Sequence, residues 1–571
     1  MPKRTKIEPV NSRWDSQVRL LAWLATCVSV IASLFYYRQG AVLLYGDAVA
    51  HINIARRVFD SKTPGLLQLG TVWLPLPHLL MIPFLLSKDM WQRGVGGSIP
   101  SMAAYVFGAI GIFRLTRGVL LRGKESEPAA RVAAWTAALI YGANPNLIYM
   151  QATAMGESLY LAFFIWAIIY FTESIRGDAK ALTKCGLCLV AACLTRYDGW
   201  FLAVSMAAVV VGRAFVGQGK VFGARAVLQG RVGPSDSTRA SAPRAVLGFL
   251  LVAAAAPALW LAYNGIIYRN PLEFENGPYS AKAIERKTEN AGNPGHPGSG
   301  NLILATRYFL KSAEDNVAQN EWSQRVWLVL GFAAVLAAAW KLRKHKSDTD
   351  SSTRAWPLAF LLIPLPFYAL SIAYGGVPIF VPQFWPFTHY NVRYGLELLP
   401  AFAVMLAVFV YIPLRSTHWN DRLRLGCAVA ILAFVAASYA SIWKATPICL
   451  EEAQVNMRTR NQLQAEVAEW LKRLPDNSTL LMYLGDHVGA LERAGVPLKR
   501  TINEGNHRVW SQPYDPQGLW EHALANPAQY ADYVLAFEGD PVWQAVHDLH
   551  LHALVEIHVT GQARAILYRA R

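Results

Sequence analysis

Asp47 stands just past the first apolar stretch, in Leu44-Tyr-Gly-Asp-Ala-Val-Ala-His-Ile-Asn-Ile-Ala-Arg-Arg57. Read as a helix, this segment puts His51 one turn from Asp47 on the same face, with Arg56 and Arg57 further along. A carboxylate beside cations can take a proton from an attacking hydroxyl while the cations hold an anionic second substrate. Asp47 can instead cap the helix that begins at Ala48, and the segment alone does not choose between the two roles.

Three other places carry charge where the surrounding sequence is apolar. Glu157, in Ala154-Met-Gly-Glu-Ser158, opens an apolar stretch. It reads either as an interfacial side chain, cheaper at a span end than at mid-bilayer, or as a second catalytic carboxylate. Arg196 and Asp198, in Leu194-Thr-Arg-Tyr-Asp-Gly-Trp200, are expected to pair with each other. Arg393, in His389-Tyr-Asn-Val-Arg-Tyr-Gly395, is the sole cation of its segment and reads as a headgroup anchor or a phosphate ligand. His51, His78, His389 and His487 lack tight ligand spacing, so no cofactor is expected to be required, and a divalent metal site assembled across loops stays open without support from the spacing. Cys185-Gly-Leu-Cys188 has a metal-like spacing but lies in an apolar helix, where small packing residues are the simpler reading.

These acids and cations fall near one plane, which makes glycosyl transfer from a phosphate-linked sugar the matching chemistry. One carboxylate deprotonates the acceptor hydroxyl, and cations stabilise the departing phosphate. Phosphate is already a weak base, so no second acid is needed to protonate it. The candidate catalytic residues are therefore Asp47 and Glu157. The candidate substrate-binding residues are His51, Arg56, Arg57, His78, Arg196 and Arg393.

The elements that must position these residues are membrane helices. The chain has 571 residues, 54% hydrophobic and 16% charged, with positive mean hydropathy, the composition of a polytopic membrane protein. About 20 apolar residues cross the hydrocarbon core. Eleven stretches qualify as spans: 20–37, 102–121, 132–150, 156–172, 181–195, 198–212, 245–263, 326–340, 356–374, 394–414 and 425–443. The net charge of +16 is gathered in alternate loops, so it reports orientation rather than a nucleic-acid partner. Arg114, Arg117, Arg122, Lys124 and Arg131 form one such cluster, and the amino-terminal Lys3, Arg4 and Lys6 another. The positive-inside rule then places the amino terminus in the cytoplasm and, after an odd number of spans, the carboxyl terminus outside an inner (plasma) membrane. The first apolar stretch lacks a small-residue cleavage site and reads as span one, not a secretory signal.

Residues 1–449 read as the membrane domain, with a catalytic outer loop at 38–101 and a flexible outer loop at 264–325. The latter includes the glycine- and proline-rich Asn290–Gly300, expected to be a mobile flap. The inner segment 213–244 reads as a disordered connection. Residues 450–571 read as a small extracytoplasmic α/β domain: a helix over 457–474, strands over 479–484, 530–537 and 553–559, and the turn Gly485-Asp-His487.

On Gly46-Asp47-Ala48, Trp73-Leu-Pro-Leu-Pro-His78, Glu157, and Arg393-Tyr394 ahead of Leu398-Leu-Pro400, the chain resembles polytopic GT-C glycosyltransferases of the family 39 type. That group includes protein O-mannosyltransferases and lipid A aminoarabinose transferases. The likeness covers roughly residues 15–445. It implies a mainly α, GT-C-like helical bundle and an inverting transferase with the first-loop acid as general base. The implied partners are a polyprenyl-phosphate sugar donor, a lipid, glycan or protein acceptor, and membrane lipids. Many members pair two adjacent acids in the first loop, whereas Ala48 follows Asp47 here. His51 also stands where relatives often carry an aromatic residue.

Two other classes compete with an enzyme: a transporter or lipid-linked sugar flippase, and a structural assembly protein. Transporters place polar or broken helices near the midplane, often in repeated halves; here the ionisable residues gather at one face. The orientation is tested by a reporter active only outside the cytoplasm. It is expected to work when fused after Arg571 and to fail when fused near Gly230.

Overall fold

Asp15 starts the helical part of the chain, its carboxylate accepting hydrogen bonds from the Gln17 and Val18 amides to cap α1 (Ser16–Arg38). The computed structural model describes residues 15–121, 126–176, 178–216, 236–288, 295–344, 355–416, 419–507 and 516–571. The short helices α2 (Gly46–Arg57), α3 (Leu76–Leu85) and α4 (Lys88–Gln92) follow, then the long α5 (Val95–Leu120). Next come α6 (Glu127–Gly142), α7 (Pro145–Gln151), α8 (Glu157–Ile175), α9 (Ala179–Cys193), α10 (Asp198–Val216) and α11 (Asp236–Ile267). The second half holds α12 (Glu273–Asn276), α13 (Ala281–Thr288), α14 (Leu302–Asp315), α15 (Glu321–Lys344), α16 (Pro364–Tyr374), α17 (Leu399–Arg415), α18 (Asp421–Ala445) and α19 (Ile448–Leu471).

Helices occupy all the stretches read as spans. Among the described residues, seven are long and apolar enough to cross a membrane. The stretch 132–150 is two helices, because Asn144 caps α7 by accepting from the Leu147 amide and Pro145 takes the first helical position. Large apolar side chains such as Trp23, Ile31, Leu251 and Ile266 are exposed on α1 and α11, as a lipid-facing flank requires. α8 is mostly buried, with Tyr160, Phe164 and Phe171 in the core. Arg117 of α5 pairs with Asp15 and with Glu127 at 3.0 Å, tying the starts of α1 and α6 to the end of α5.

The segment 264–325 contains α12, α13 and α14. Of its glycine-rich run, residues 289–294 lie outside the described residues. Beyond them, the His296 ring hydrogen-bonds the Ile379 carbonyl at 2.9 Å through Nε2, and its Nδ1 accepts from the Gly298 amide. Residues 217–235, within the inner segment expected to be disordered, also lie outside the described residues. α11 already begins at Asp236, so the end of that segment is helix, in keeping with the helix propensity of its alanines.

The carboxyl-terminal region folds around a five-stranded sheet in the order β2-β1-β3-β5-β4. Its strands are β1 (Leu480–Met482), β2 (Thr501–Ile502), β3 (Tyr533–Phe537), β4 (His552–Ile557) and β5 (Ala565–Arg569). β1 runs parallel to β2 and β3, and β5 is antiparallel to β3 and β4. Alternate residues face opposite sides. Leu481, Val534, Ala536 and Ile566 join a local core, while Leu480, Met482, Leu535, Phe537 and Leu567 belong to the same apolar core as the helical bundle. The Gly485-Asp-His487 turn is held by Glu504, which accepts from the Leu484 and Gly485 amides at 2.8 and 3.0 Å.

Two close approaches fix the elements around the charged cluster. A Cβ on Gly97 would meet Ile52 of α2 at 2.4 Å and Ala154 at 2.6 Å, so α5 seats α2 against the segment that leads into Glu157. A Cβ on Gly395 would lie 2.4 Å from the Ser312 backbone, so the 3-10 turn Val392–Leu398 lies flush on α14. Asn316 locks that contact, its side-chain amide donating to the carbonyls of Ser312 at 2.8 Å and Val392 at 2.7 Å. Gly395→Ala forces backbone apart from backbone and is expected to cost about 1–3 kcal/mol. This would be read as a lowered thermal midpoint of the purified protein in detergent.

Candidate active site

Asp47 sits in the first turn of α2 but does not cap it: the cap position is Tyr45, and no side chain closes that helix end. The carboxylate reaches instead to Arg393, at 2.5 Å from the guanidinium. Arg393 also meets Glu157 and Glu452, each at 3.0 Å, so three acids from α2, α8 and α19 share one cation. Glu452 in addition accepts the Asn391 amide at 2.8 Å. The rings of Tyr45 and Tyr394 each lie 5.0 Å from the guanidinium carbon and fix its plane.

A second cluster adjoins the first. Arg196 meets Glu157 at 3.3 Å, Asp198 at 3.2 Å and Glu397 at 3.1 Å, and packs over the same Tyr394 ring at 4.5 Å. The Tyr368 hydroxyl lies within hydrogen-bond distance of Arg196, Asp198 and Glu397. Glu157 joins the clusters, because a single oxygen, Oε1, meets both arginines. Its Oε2 is buried without a hydrogen-bond partner.

Five carboxylates therefore face two guanidinium groups, an excess of three negative charges when all are ionised. Exposure separates them: Asp47 is 38% exposed as a side chain, while Glu157 and Glu452 are 1% exposed. A cavity of about 150 Å³ opens here, lined by Asp47, His51, Trp73, Glu157, Arg196, Tyr368 and Arg393 among others. Asp47 is thus the most hydrated of the three acids on Arg393. Among the described residues, no group of three His, Cys, Asp or Glu side chains converges to hold a metal ion.

The structure brings together Asp47, His51, Glu157, Arg196 and Arg393 around this cavity, and it places His78, Arg56 and Arg57 away from its lining. His51 Nδ1 lies 2.8 Å from His78 Nε2, so the two rings share one proton. Burial pushes the His51 pKa down, and pushes His78 well down with help from its neighbours His51 and Arg57, which keeps both rings neutral. His78 is fully covered and touches the cavity only through His51. Arg56 is committed to Asp60 at 2.8 Å and to the Leu85 carbonyl, with its guanidinium over Trp91. Among the described residues Arg57 has no acid partner; its guanidinium reaches the Gln68 carbonyl at 3.5 Å, and its Nε is buried without a partner.

Arg196 and Asp198 pair as expected. Sequence reasoning missed Glu452, Glu397 and Tyr368, and named Tyr394 only as part of the motif that carries the resemblance. Two signals pointed to the acids: Glu397 lies inside an apolar span, four residues after Arg393, and an ionisable residue there asks for a partner. Glu452 follows the last span at the same edge, as Glu157 precedes its own.

No protein-family model matches this chain, and no curated protein matches it. Among solved structures it is similar to the crystal structure of ArnT from Cupriavidus metallidurans bound to undecaprenyl phosphate, with 13% identity and a TM-score of 0.53, over 97% of this chain and 98% of that one. It also aligns with the apo oligosaccharyltransferase of Archaeoglobus fulgidus at 13% identity and a TM-score of 0.46, over 92% of this chain and 70% of that one. At such identity the likeness is one of fold, and the fold of this multi-pass membrane protein is of the GT-C type.

Proposed function

We propose that this chain is an integral-membrane glycosyltransferase that moves a sugar from a polyprenyl-phosphate donor to an extracytoplasmic lipid, glycan or protein acceptor. The observation that carries the reading is the Arg393 cluster, in which Glu157 and Glu452 are each 1% exposed and Asp47, on the wall of the cavity, is 38% exposed. The structural neighbour bound to undecaprenyl phosphate supports the donor class.

In this reading the acceptor oxygen attacks the anomeric carbon, the bond from that carbon to the phosphate oxygen breaks, and the polyprenyl phosphate leaves with the electron pair. Asp47 takes the acceptor proton. Asp47 is the exchangeable ligand of Arg393, because leaving the guanidinium returns it to water, whereas Glu157 or Glu452 would be stranded. A donor phosphate that takes its place on Arg393 frees the carboxylate to act as base. Glu157 positions both arginines, His51 and His78 line and back the acceptor side, and Arg57 is the spare cation for a donor anion, Arg56 being committed. The domain after Ile448 assists acceptor binding.

Asp47→Asn keeps the size of the side chain and removes its basicity. It is expected to lower turnover by a factor on the order of 100 or more while donor binding persists. The readout is release of polyprenyl phosphate by purified protein supplied with membrane lipid extract. Near wild-type turnover would sink the assignment and leave Glu157 as the next candidate. Arg393→Lys keeps the charge but loses the planar fork. It is expected to weaken donor-lipid binding and to lower the thermal midpoint together, whereas a purely structural arginine would lower the midpoint alone.

A further inference from the structure

A second cavity, of about 190 Å³, lies behind α2, between the end of α1, α4 and the helix Val488–Ala494 of the carboxyl-terminal region, here α20. Its apolar wall is Val42, Leu43 and Val49; its polar groups are Gln92, Gln464 and Glu492, with Arg93 and Arg493 at the rim. None of these residues belongs to the cavity around Asp47.

The charges are arranged for an anion with hydroxyl groups. Arg493 bonds Asn461 at 2.7 Å and has no acid partner among the described residues. Arg93 pairs with Asp89 at 2.6 Å and donates to the Tyr37 hydroxyl at 3.0 Å, both in solvent reach. Inside, Glu492 is 2% exposed and accepts from the Asn53 side chain at 3.2 Å. Burial pushes its pKa up to about 8, so near neutral pH it is mostly a protonated donor and offers no charge to an ammonium group. Gln92 and Gln464 add amide donors and acceptors.

Position narrows the ligand. Tyr37 and Gly40 stand at the end of α1, a candidate membrane span whose last turns expose Leu34 and Phe35 to lipid, so the cavity sits at headgroup height beside acyl chains. We infer that this cavity binds the headgroup of an anionic, hydroxylated phospholipid of the phosphatidylglycerol kind, with Arg93 and Arg493 on the phosphodiester and Glu492, Gln92 and Gln464 on the glycerol hydroxyls. The site touches the reaction through α2. Asn53, which donates to Glu492 and accepts from the Trp91 indole at 3.0 Å, is on the helix that carries Asp47. An occupied cavity braces α2 from behind.

The test uses the full chain purified in detergent, with thermal midpoint and native mass spectrometry as readouts. Phosphatidylglycerol is expected to raise the midpoint by a few degrees and to leave one retained lipid per chain, with phosphatidylcholine and inorganic phosphate giving little. The Arg93→Gln/Arg493→Gln double variant, on two exposed side chains, is expected to fold with an unchanged unliganded midpoint and to lose both effects. Arg493→Glu alone is the second variant and should lose them too. Asp47→Asn should keep both effects, which separates this site from any donor lipid in the first cavity. An equal shift with phosphatidylcholine, an equal shift with inorganic phosphate alone, or a full shift in the variants overturns the inference.

Discussion

One buried guanidinium organises the half of this protein that carries the charged cluster. Arg393 is 5% exposed and holds acids that lie at positions 47, 157 and 452 of the chain. A charge that dry is tolerated only with its donors met by opposite charge in good geometry. α2, α8 and α19 can therefore take few orientations other than the one that delivers a carboxylate to each side of the fork. Tyr45 and Tyr394 narrow the choice further by fixing the plane of the guanidinium. The neutral polar network behind the cluster does the same for the backbone. Asn144 and Asn146 both donate to the Asn316 carbonyl, and Asn316 holds Val392, one residue before the arginine.

In the proposed reaction, the chemistry rests on unequal hydration within that cluster. Interactions among dry charges are strong and rigid, and a rigid group cannot change partner during a reaction. A carboxylate in contact with water can. Asp47 combines an ion pair that orients it with enough exposure to leave that pair, while Glu157 and Glu452 keep Arg393 anchored when it does.

Much of this was readable from the sequence wherever a charge stood alone against an apolar background. Asp47, Glu157, Arg196 and Arg393 were legible because each marks the edge of a hydrophobic stretch, and the fold class followed from those stretches. Glu452 was passed over because it opens a polar helix with Glu451 beside it, so its place after the last span was the one sign that set it apart; a change in composition was taken there as a domain boundary, and α19 and one face of the sheet share the bundle's core. Arg56 and Arg57 looked equivalent in sequence. Only tertiary contacts show that Asp60 and the Leu85 carbonyl occupy the first and leave the second without an acid. β2 escaped notice because two residues carry no periodicity, and β5 because its pattern emerges only when β3 and β4 flank it.

The order in which Arg393's partners leave the ribosome has a consequence for biogenesis. Asp47 and Glu157 are made before the arginine, and Glu452 comes 59 residues after it. Until α19 has emerged and docked, Arg393 lacks the acid that also ties down the Asn391 amide. The nascent bundle therefore carries an incompletely neutralised cation and holds Asp47 in place with fewer constraints. The cluster around Arg393 becomes complete only when Glu452 arrives with α19. A chain cut short before α19 is thus left with a half-compensated buried charge.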